Sequence, residues 1–294
     1  MRNNIIMKEK FRKVILMIGI LITAAGVCLA MYATVSNWYC EYRAGNEIET
    51  YSETVSNTSQ DELTHIKENV IEYNRTLASE ESTSSISYDE MLAATDAIGY
   101  LEIPRLQLML PIYEGTEEDV LARGVGHMEQ TSLPVGGAST HCVLAGHTGL
   151  PTAKLFTHLD KMKEGDLFYI HELDEILTYK VDRISVVLPD ETDALQIEEG
   201  KDYVTLLTCV PYGVNSHRLL VRGERTENPV TADSQEKADK PVSAVVYAVF
   251  VGIILIVFYI WFKRKRRRAN EKIYVRYETT RSTGRLWNDN RYPG

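Results

Sequence analysis

Two long stretches without a single charge constrain this chain more than any other feature. They cover residues 14–35 and 242–262. Each is long enough, as a helix, to cross a hydrocarbon core of about 30 Å. Lys8, Lys10, Arg12 and Lys13 precede the first, and a run of six bases, residues 263–268, follows the second. The positive-inside rule then puts both termini in the cytoplasm and residues 36–241 outside. Trp38, Tyr39, Tyr259 and Trp261 sit near the ends of the runs, where amphipathic rings favour the membrane interface. A cleaved signal peptide is the competing reading of the first run. The run is longer than the usual apolar region of such a peptide, and small residues spaced for cleavage are weak. Cys28 as a lipoprotein anchor is disfavoured by the bulk of Val27 before it.

Charge follows the same partition. The whole chain carries a net charge of -9, but both ends are basic and the middle is strongly acidic. That argues against nucleic acid as a partner, which would favour a basic face. Four cysteines in 294 residues are too few for a disulfide scaffold. Only Cys142 and Cys209 lie deep in the outer region. A disulfide between them is permitted outside the cytoplasm, but two free thiols are the preferred reading.

Within the outer region, residues 41–60 are polar and read as a stalk. Leu63, Ile66, Val70, Tyr73 and Leu77 then recur at spacings of three and four, one stripe of a helix over residues 61–77. Residues 79–87, almost all Ser, Thr and Glu, read as a mobile linker. From Ile98 the texture changes to short apolar runs bounded by Gly and Pro: 99–103, 106–112, 141–145, 166–171, 176–187, 203–208 and 218–222. Seven or eight strands in that space predict an all-β barrel or sandwich. Short helices fit at 117–122 and 152–159. Residues 228–240 form a polar linker into the second apolar run.

Two strand ends carry the chemistry. The run Val204-Thr-Leu-Leu-Thr-Cys209 stops at Pro211 and Gly213, which puts a thiol beside a loop. Arg218 opens the next strand, so an antiparallel hairpin brings its guanidinium near the thiol. The run Thr140-His-Cys-Val-Leu-Ala-Gly146-His147 ends in the same way, with His147 framed by Gly146 and Thr148-Gly149. A thiol nucleophile needs a base or cation to hold it as thiolate, and histidine is the usual choice. His141, His127, His158 and His171 lack this Gly-framed position or open a strand, and His217 alternates to the face opposite Arg218. No Cys/His cluster has zinc spacing, and there is no phosphate-cradling glycine loop. Asp190, Glu191 and Asp193 with Glu198 and Glu199 read as a solvated acidic loop rather than a calcium site.

Thr205-Leu-Leu-Thr-Cys209 resembles the TLxTC signature of sortases, and the following Pro-Tyr-Gly-Val-Asn-Ser-His-Arg218-Leu-Leu-Val-Arg-Gly is similar to the pilus-assembling, class C members. Ser132-Leu-Pro-Val-Gly-Gly with Leu144-Ala-Gly-His147-Thr-Gly-Leu-Pro resembles the family's histidine region. Ile98-Gly-Tyr-Leu-Glu-Ile-Pro104 resembles the start of its barrel. The likeness covers about residues 98–225. It implies a mostly β, closed-barrel fold with short helices, preceded by a helical segment and held by two transmembrane helices. The implied order is a cytoplasmic N-terminus (1–13), a span (14–35), stalk, helix and possible lid (36–97), catalytic barrel (98–225), linker (226–241), a second span (242–262) and a basic cytoplasmic tail (263–294).

The resemblance further implies a membrane-held cysteine transpeptidase of a Gram-positive cell surface. Cys209 would be the nucleophile, His147 the proton donor and acceptor, and Arg218 the oxyanion stabiliser, with no cofactor or metal. Its partners would be LPxTG-bearing pilins or surface proteins and an amine from a pilin lysine or a peptidoglycan cross-bridge. A housekeeping enzyme that attaches proteins to peptidoglycan, a thiol hydrolase of the same fold and a non-catalytic scaffold are the alternatives. Class C members usually carry an Asp-Pro-aromatic lid. Residues 61–97 contain no such tripeptide, and Tyr88-Asp89-Glu90 is the nearest substitute.

Overall fold

The computed structural model describes residues 2–79, 96–150 and 153–227 and four isolated positions beyond. It divides into two units, Met1–Ser234 and Gln235–Gly294. The second apolar run and the basic tail lie almost wholly outside the described residues, as do the linker after residue 79 and Tyr88-Asp89-Glu90.

Helix α1 (Arg2–Asn57) is unbroken over 56 residues, a rod of about 84 Å at 1.5 Å per residue. Its first half presents Val14, Ile15, Met17, Ile18, Ile20, Leu21, Ile22 and Leu29 with about half or more of each side chain exposed. It is the one helix among the described residues that is long and apolar enough to cross a membrane. The second half corrects the stalk reading of residues 41–60. Ala44, Tyr51 and Val55 are buried against the rest of the protein, at spacings of seven and four that keep one helix face inward. The Tyr51 hydroxyl accepts a hydrogen bond from the Leu173 amide at 2.7 Å and donates to the Ile98 carbonyl at 3.4 Å.

Helix α2 (Gln60–Ala78) starts where Ser59 accepts the Glu62 amide at 3.3 Å, an N-cap that satisfies one orphan donor. Its buried residues are Leu63, Ile66, Val70 and Asn74. Leu63, Ile66 and Val70 match the sequence stripe. Asn74 does not, and it explains why the helix docks where it does. Its amide donates to the Leu133 carbonyl at 3.1 Å and its carbonyl accepts the Leu133 N–H at 2.8 Å.

Eight strands follow: β1 (Ala97–Ile103), β2 (Leu108–Glu114), β3 (Val125–His127), β4 (Thr140–Ala145), β5 (Leu167–Glu172), β6 (Glu175–Val187), β7 (Asp202–Val210) and β8 (His217–Arg225). They close in the order β1-β2-β3-β4-β7-β8-β6-β5, so the barrel, not the sandwich, is the fold. Closure leaves no sheet edge to aggregate. Helix α3 (Glu118–Arg123) and a 3-10 stretch (Leu155–Lys161) occupy the connections read as short helices. Strand β3 has no apolar run of its own. The run expected from residue 106 begins later, because Pro104–Leu106 is a 3-10 turn and Gln107 sits in the left-handed region.

Alternation along the strands fills the barrel. Leu101, Ile103, Ile112, Leu144, Phe168, Ile170, Tyr179, Val204, Leu206 and Val221 point inward and are inaccessible. A second apolar cluster, Tyr51, Leu63, Ile66, Val70, Tyr113, Leu133 and Leu173, joins the two helices to the barrel wall. At roughly 25 cal/mol per Å² of apolar area, that cluster makes α1 and α2 part of the folded body.

Candidate active site

Strands β4 and β7 run parallel and side by side, paired from Thr140↔Asp202 to Ala145↔Leu207. Both therefore end at the same rim. One step on, the Gly146 amide donates to the Leu207 carbonyl at 3.0 Å, and the Thr208 hydroxyl donates to the Gly146 carbonyl at 2.7 Å. The next residues are His147 on one strand and Cys209 on the other. On the far side of β7, Cys209 pairs directly with Arg218 of β8. Three adjacent strands thus bring thiol, imidazole and guanidinium to one rim, with the thiol in the middle. All three side chains are partly exposed.

Period-two alternation decides which face they share. Val204 and Leu206 point into the barrel, so Thr205, Leu207 and Cys209 point outward. On β4, Cys142 and Leu144 are in the core, so His141, Val143 and Ala145 face outward and His147 continues that column. Leu220 and Arg218 do so on β8. Ala145, Leu207 and Leu220 therefore lie in one row beneath the three polar groups, an apolar floor for an extended segment.

Neighbouring residues lock the rim. The His147 carbonyl accepts the Phe156 amide at 3.1 Å, and the Gly149 amide donates to the Thr157 hydroxyl at 3.2 Å. A Cβ on Gly146 would stand 2.6 Å from the Phe156 ring, so only glycine lets the loop cross that ring. Gly149 has φ +80, and a Cβ there would meet the Tyr212 ring at 3.1 Å. The loops after β4 and β7 therefore touch. Sequence reasoning passed over Thr208, Phe156 and Tyr212. The signal for Thr208 was present: a hydroxyl on an inward-facing position of an apolar strand needs a partner.

Arg218 is held by carbonyls, with Nη1 donating to Asn215 at 3.2 Å and to His217 at 3.3 Å. Among the described residues it has no carboxylate partner. Arg222, two pleat repeats further along β8, is the opposite case. It is bound by Asp182 at 2.6 Å and Glu198 at 3.0 Å and lies over the Tyr203 ring. The first guanidinium keeps donors for an external oxygen; the second is committed to the protein.

The other candidates fall elsewhere. His141 is buried between the Gln196 carbonyl (2.9 Å) and the Thr205 hydroxyl (2.8 Å), and burial lowers its pKa. His127 is buried and pushed down to about 4 by desolvation. His171 stacks on Tyr100 and bonds Glu102 at 3.0 Å. His217 faces away, as alternation requires. Cys142 is a core residue paired with Val204, and burial raises its thiol pKa. Five residues of strand separate Val204 from Cys209, about 16 Å, well beyond the roughly 7 Å Cα limit for a disulfide. Among the described residues, no group of three or more His, Cys, Asp and Glu side chains is placed to hold a metal. In the acidic loop, Glu191 accepts the Leu188 amide and Glu198 pairs with Arg222.

Comparison with known proteins bears on the fold and the family. The Sortase domain family model matches residues 101–226. Sortase A of Bacillus anthracis is 32% identical over 127 residues, a stretch covering 43% of this chain and 59% of that protein. This chain thus spans well under two thirds of that relative. Among solved structures, Sortase C1 of GBS Pilus Island 1 is 45% identical with a TM-score of 0.61, covering 65% of this chain and 96% of that one. Streptococcus pneumoniae Sortase C is 46% identical at a TM-score of 0.57, covering 62% and 96%. Clostridium perfringens sortase C, solved with the C-terminal cell wall sorting motif, is 49% identical at 0.59, covering 63% and 100%. With an eight-stranded closed barrel and a Cys-His-Arg rim of this topology, the chain belongs to the sortase family, and its structural neighbours are class C members.

Proposed function

We propose that this protein is a membrane-anchored cysteine transpeptidase that joins LPxTG-like sorting signals to an amine, a pilin lysine in the reading favoured by the class C neighbours. The observation that carries it is the register of three adjacent strands, which sets Cys209 between His147 and Arg218. The Cys209 thiolate attacks the Thr carbonyl of the signal, and Arg218 donates to the oxyanion that forms. As the Thr–Gly C–N bond breaks, His147 gives its proton to the leaving glycine amine, and a thioester remains. The incoming amine then attacks, His147 takes its proton, and the thiolate leaves. The row of Ala145, Leu207 and Leu220 supports an extended peptide next to the thiol.

Residues 98–225 are the catalytic barrel in this reading and residues 14–35 the anchor. The unbroken passage of α1 from the exposed apolar stretch into the docked residues Ala44, Tyr51 and Val55 supports an anchor over a cleaved signal. A second span at 242–262 puts both termini inside and the barrel outside a Gram-positive cell. Protease added to protoplasts should then digest the barrel and spare the tail after residue 262; loss of the tail would overturn the two-span topology.

The activity is tested with an LPxTG peptide, with and without an added amine. An amide product that disappears in Cys209→Ala supports the transpeptidase. A free acid in the presence of saturating amine would show a hydrolase instead. A preference for cross-bridge peptides over pilin lysine would show the housekeeping reaction.

A further inference from the structure

A cavity of about 170 Å³ lies between α1 and the barrel, reaching the segment after β4 at Ala153. One wall is a single helix face: Ser36, Tyr39, Cys40, Arg43, Ala44 and Glu47. Tyr113 of β2, Ala122 and Arg123 at the end of α3 and Ala153 complete it. Its place along α1 matters most. Ser36 is the first residue after the apolar stretch, so the cavity opens at the hydrocarbon edge and climbs about 16 Å to Glu47. Trp38, Tyr39 and Tyr42 are exposed at the same level of α1, Trp38 and Tyr42 stacked at 5.9 Å on the helix face away from the cavity, the usual residues of a headgroup layer.

Two guanidiniums converge there. Arg43 makes no ion pair among the described residues. Arg123 lies 4.5 Å above the Tyr113 ring and reaches Asp96, a largely exposed carboxylate, at 3.3 Å. Glu47 is the opposing charge in the wall, and Glu41 nearby is shared with Asn37 at 3.0 Å and Lys154 at 3.9 Å. Ser36 and Tyr39 add hydroxyl donors at the lower end, and Ala44, Cys40 and Ala153 give an apolar lining. The volume equals that of roughly six waters. That suits a phosphodiester and its first glycerol carbons, and guanidinium forks are the side chains best matched to phosphate oxygens.

We propose that this cavity binds the glycerophosphate headgroup of an anionic phospholipid of the outer leaflet, with Arg43 and Arg123 on the phosphate. The proposal rests on the membrane-anchored reading. A bound headgroup would clamp α1 and the barrel together beside the loop that carries His147, since the Asn37 side chain already holds the Lys154 amide at 2.9 Å.

The test uses the full chain, purified in a neutral detergent and followed by native mass spectrometry. Phosphatidylglycerol, phosphatidylcholine of the same acyl chains, and inorganic phosphate are titrated separately. One phosphatidylglycerol should be retained at least tenfold more tightly than phosphatidylcholine. Arg43→Gln, an exposed substitution that leaves the fold intact, should lower that affinity about tenfold, as should Arg123→Gln. Glu47→Gln should raise it, on the order of threefold, because a repelling charge is removed. Equal retention of the two lipids, or unchanged affinity in both arginine variants, overturns the proposal. So does binding of inorganic phosphate that displaces the lipid at millimolar concentration, which would make this a free-anion site. Extraction of the chain from native membranes by carbonate is scored separately. Release there defeats the anchor, while arginine-dependent lipid retention would still stand.

Discussion

Glu172 offers the sharpest quantitative test of how the helices are held on the barrel. It ends β5 beneath α1 and α2, is 3% exposed, and its Oε1 has no hydrogen-bond partner among the described residues. Burial pushes its pKa up to about 8, Glu175 and Asp174 add to the rise, and Lys67 opposes it. The carboxyl is therefore neutral in the folded protein near pH 7 and ionised in the unfolded chain. A group whose folded pKa is raised contributes its full stability below its unfolded value, near 4.5. That contribution is lost as pH climbs toward 8. One proton costs about 1.4 kcal/mol per pH unit across that window, so about 4 kcal/mol has gone by pH 7.5. Glu172→Gln removes the titration but buries an amide that needs partners, at a cost of about 1–3 kcal/mol. The variant should be less stable than the parent at pH 5 and more stable by about 1–3 kcal/mol at pH 7.5. Thermal unfolding of the full chain in detergent, scanned from pH 5 to 8.5, reads the crossing. Titrating groups that do not interact with Glu172 are common to both proteins and cancel in the difference. Parallel pH profiles for parent and variant would refute a buried neutral carboxyl at this site.

Arg218→Lys should cut kcat at least a hundredfold with little change in KM, because an ammonium keeps the charge and loses the fork; steady-state cleavage of a sorting peptide measures it. Thr208→Val keeps the shape but strands the Gly146 carbonyl, so unfolding should show a loss of about 1–3 kcal/mol, with a fall in kcat as the β4 rim loosens. Gly146→Ala drives a methyl into the Phe156 ring and should cost about 1–3 kcal/mol, with Phe156→Leu in the same chain restoring part of it. Cys142→Ala leaves a small core void worth roughly 1 kcal/mol and should retain peptide turnover. Loss of activity in a folded Cys142→Ala protein would argue that this thiol takes part in the reaction.

Much of the barrel was legible because its strands combine β-branched runs with Gly and Pro breaks. The hairpin that pairs Cys209 with Arg218 could be read from one turn's length. The adjacency of β4 and β7 could not. The two strands are parallel, lie 62 residues apart at each pairing, and are joined through two other strands. No local pattern encodes that neighbourhood; the Gly-framed strand end singled out His147 as a candidate, and the sortase resemblance set it beside Cys209. Strand β3 escaped because three residues containing Gly126 carry no period. The docked half of α1 read as a polar stalk because only three of its residues are buried, and the polar majority hides a stripe that sparse. Asn74 shows the same limit. A helix anchored by a side-chain amide to a distant backbone leaves no hydrophobic signature.

The unbroken course of α1 also fixes a phase. In the membrane-anchored reading proposed above, a flexible tether would let the barrel spin freely over the bilayer, whereas a continuous helix turns with its load. Each residue inserted between Val35 and Ser36 would rotate the whole barrel about 100° and lift it 1.5 Å. Four residues would nearly restore the heading, and seven would bring it back within about 20°. In that reading the rim that carries Cys209 would have a compass bearing relative to neighbouring proteins in the same membrane, a bearing set by the length of a single helix.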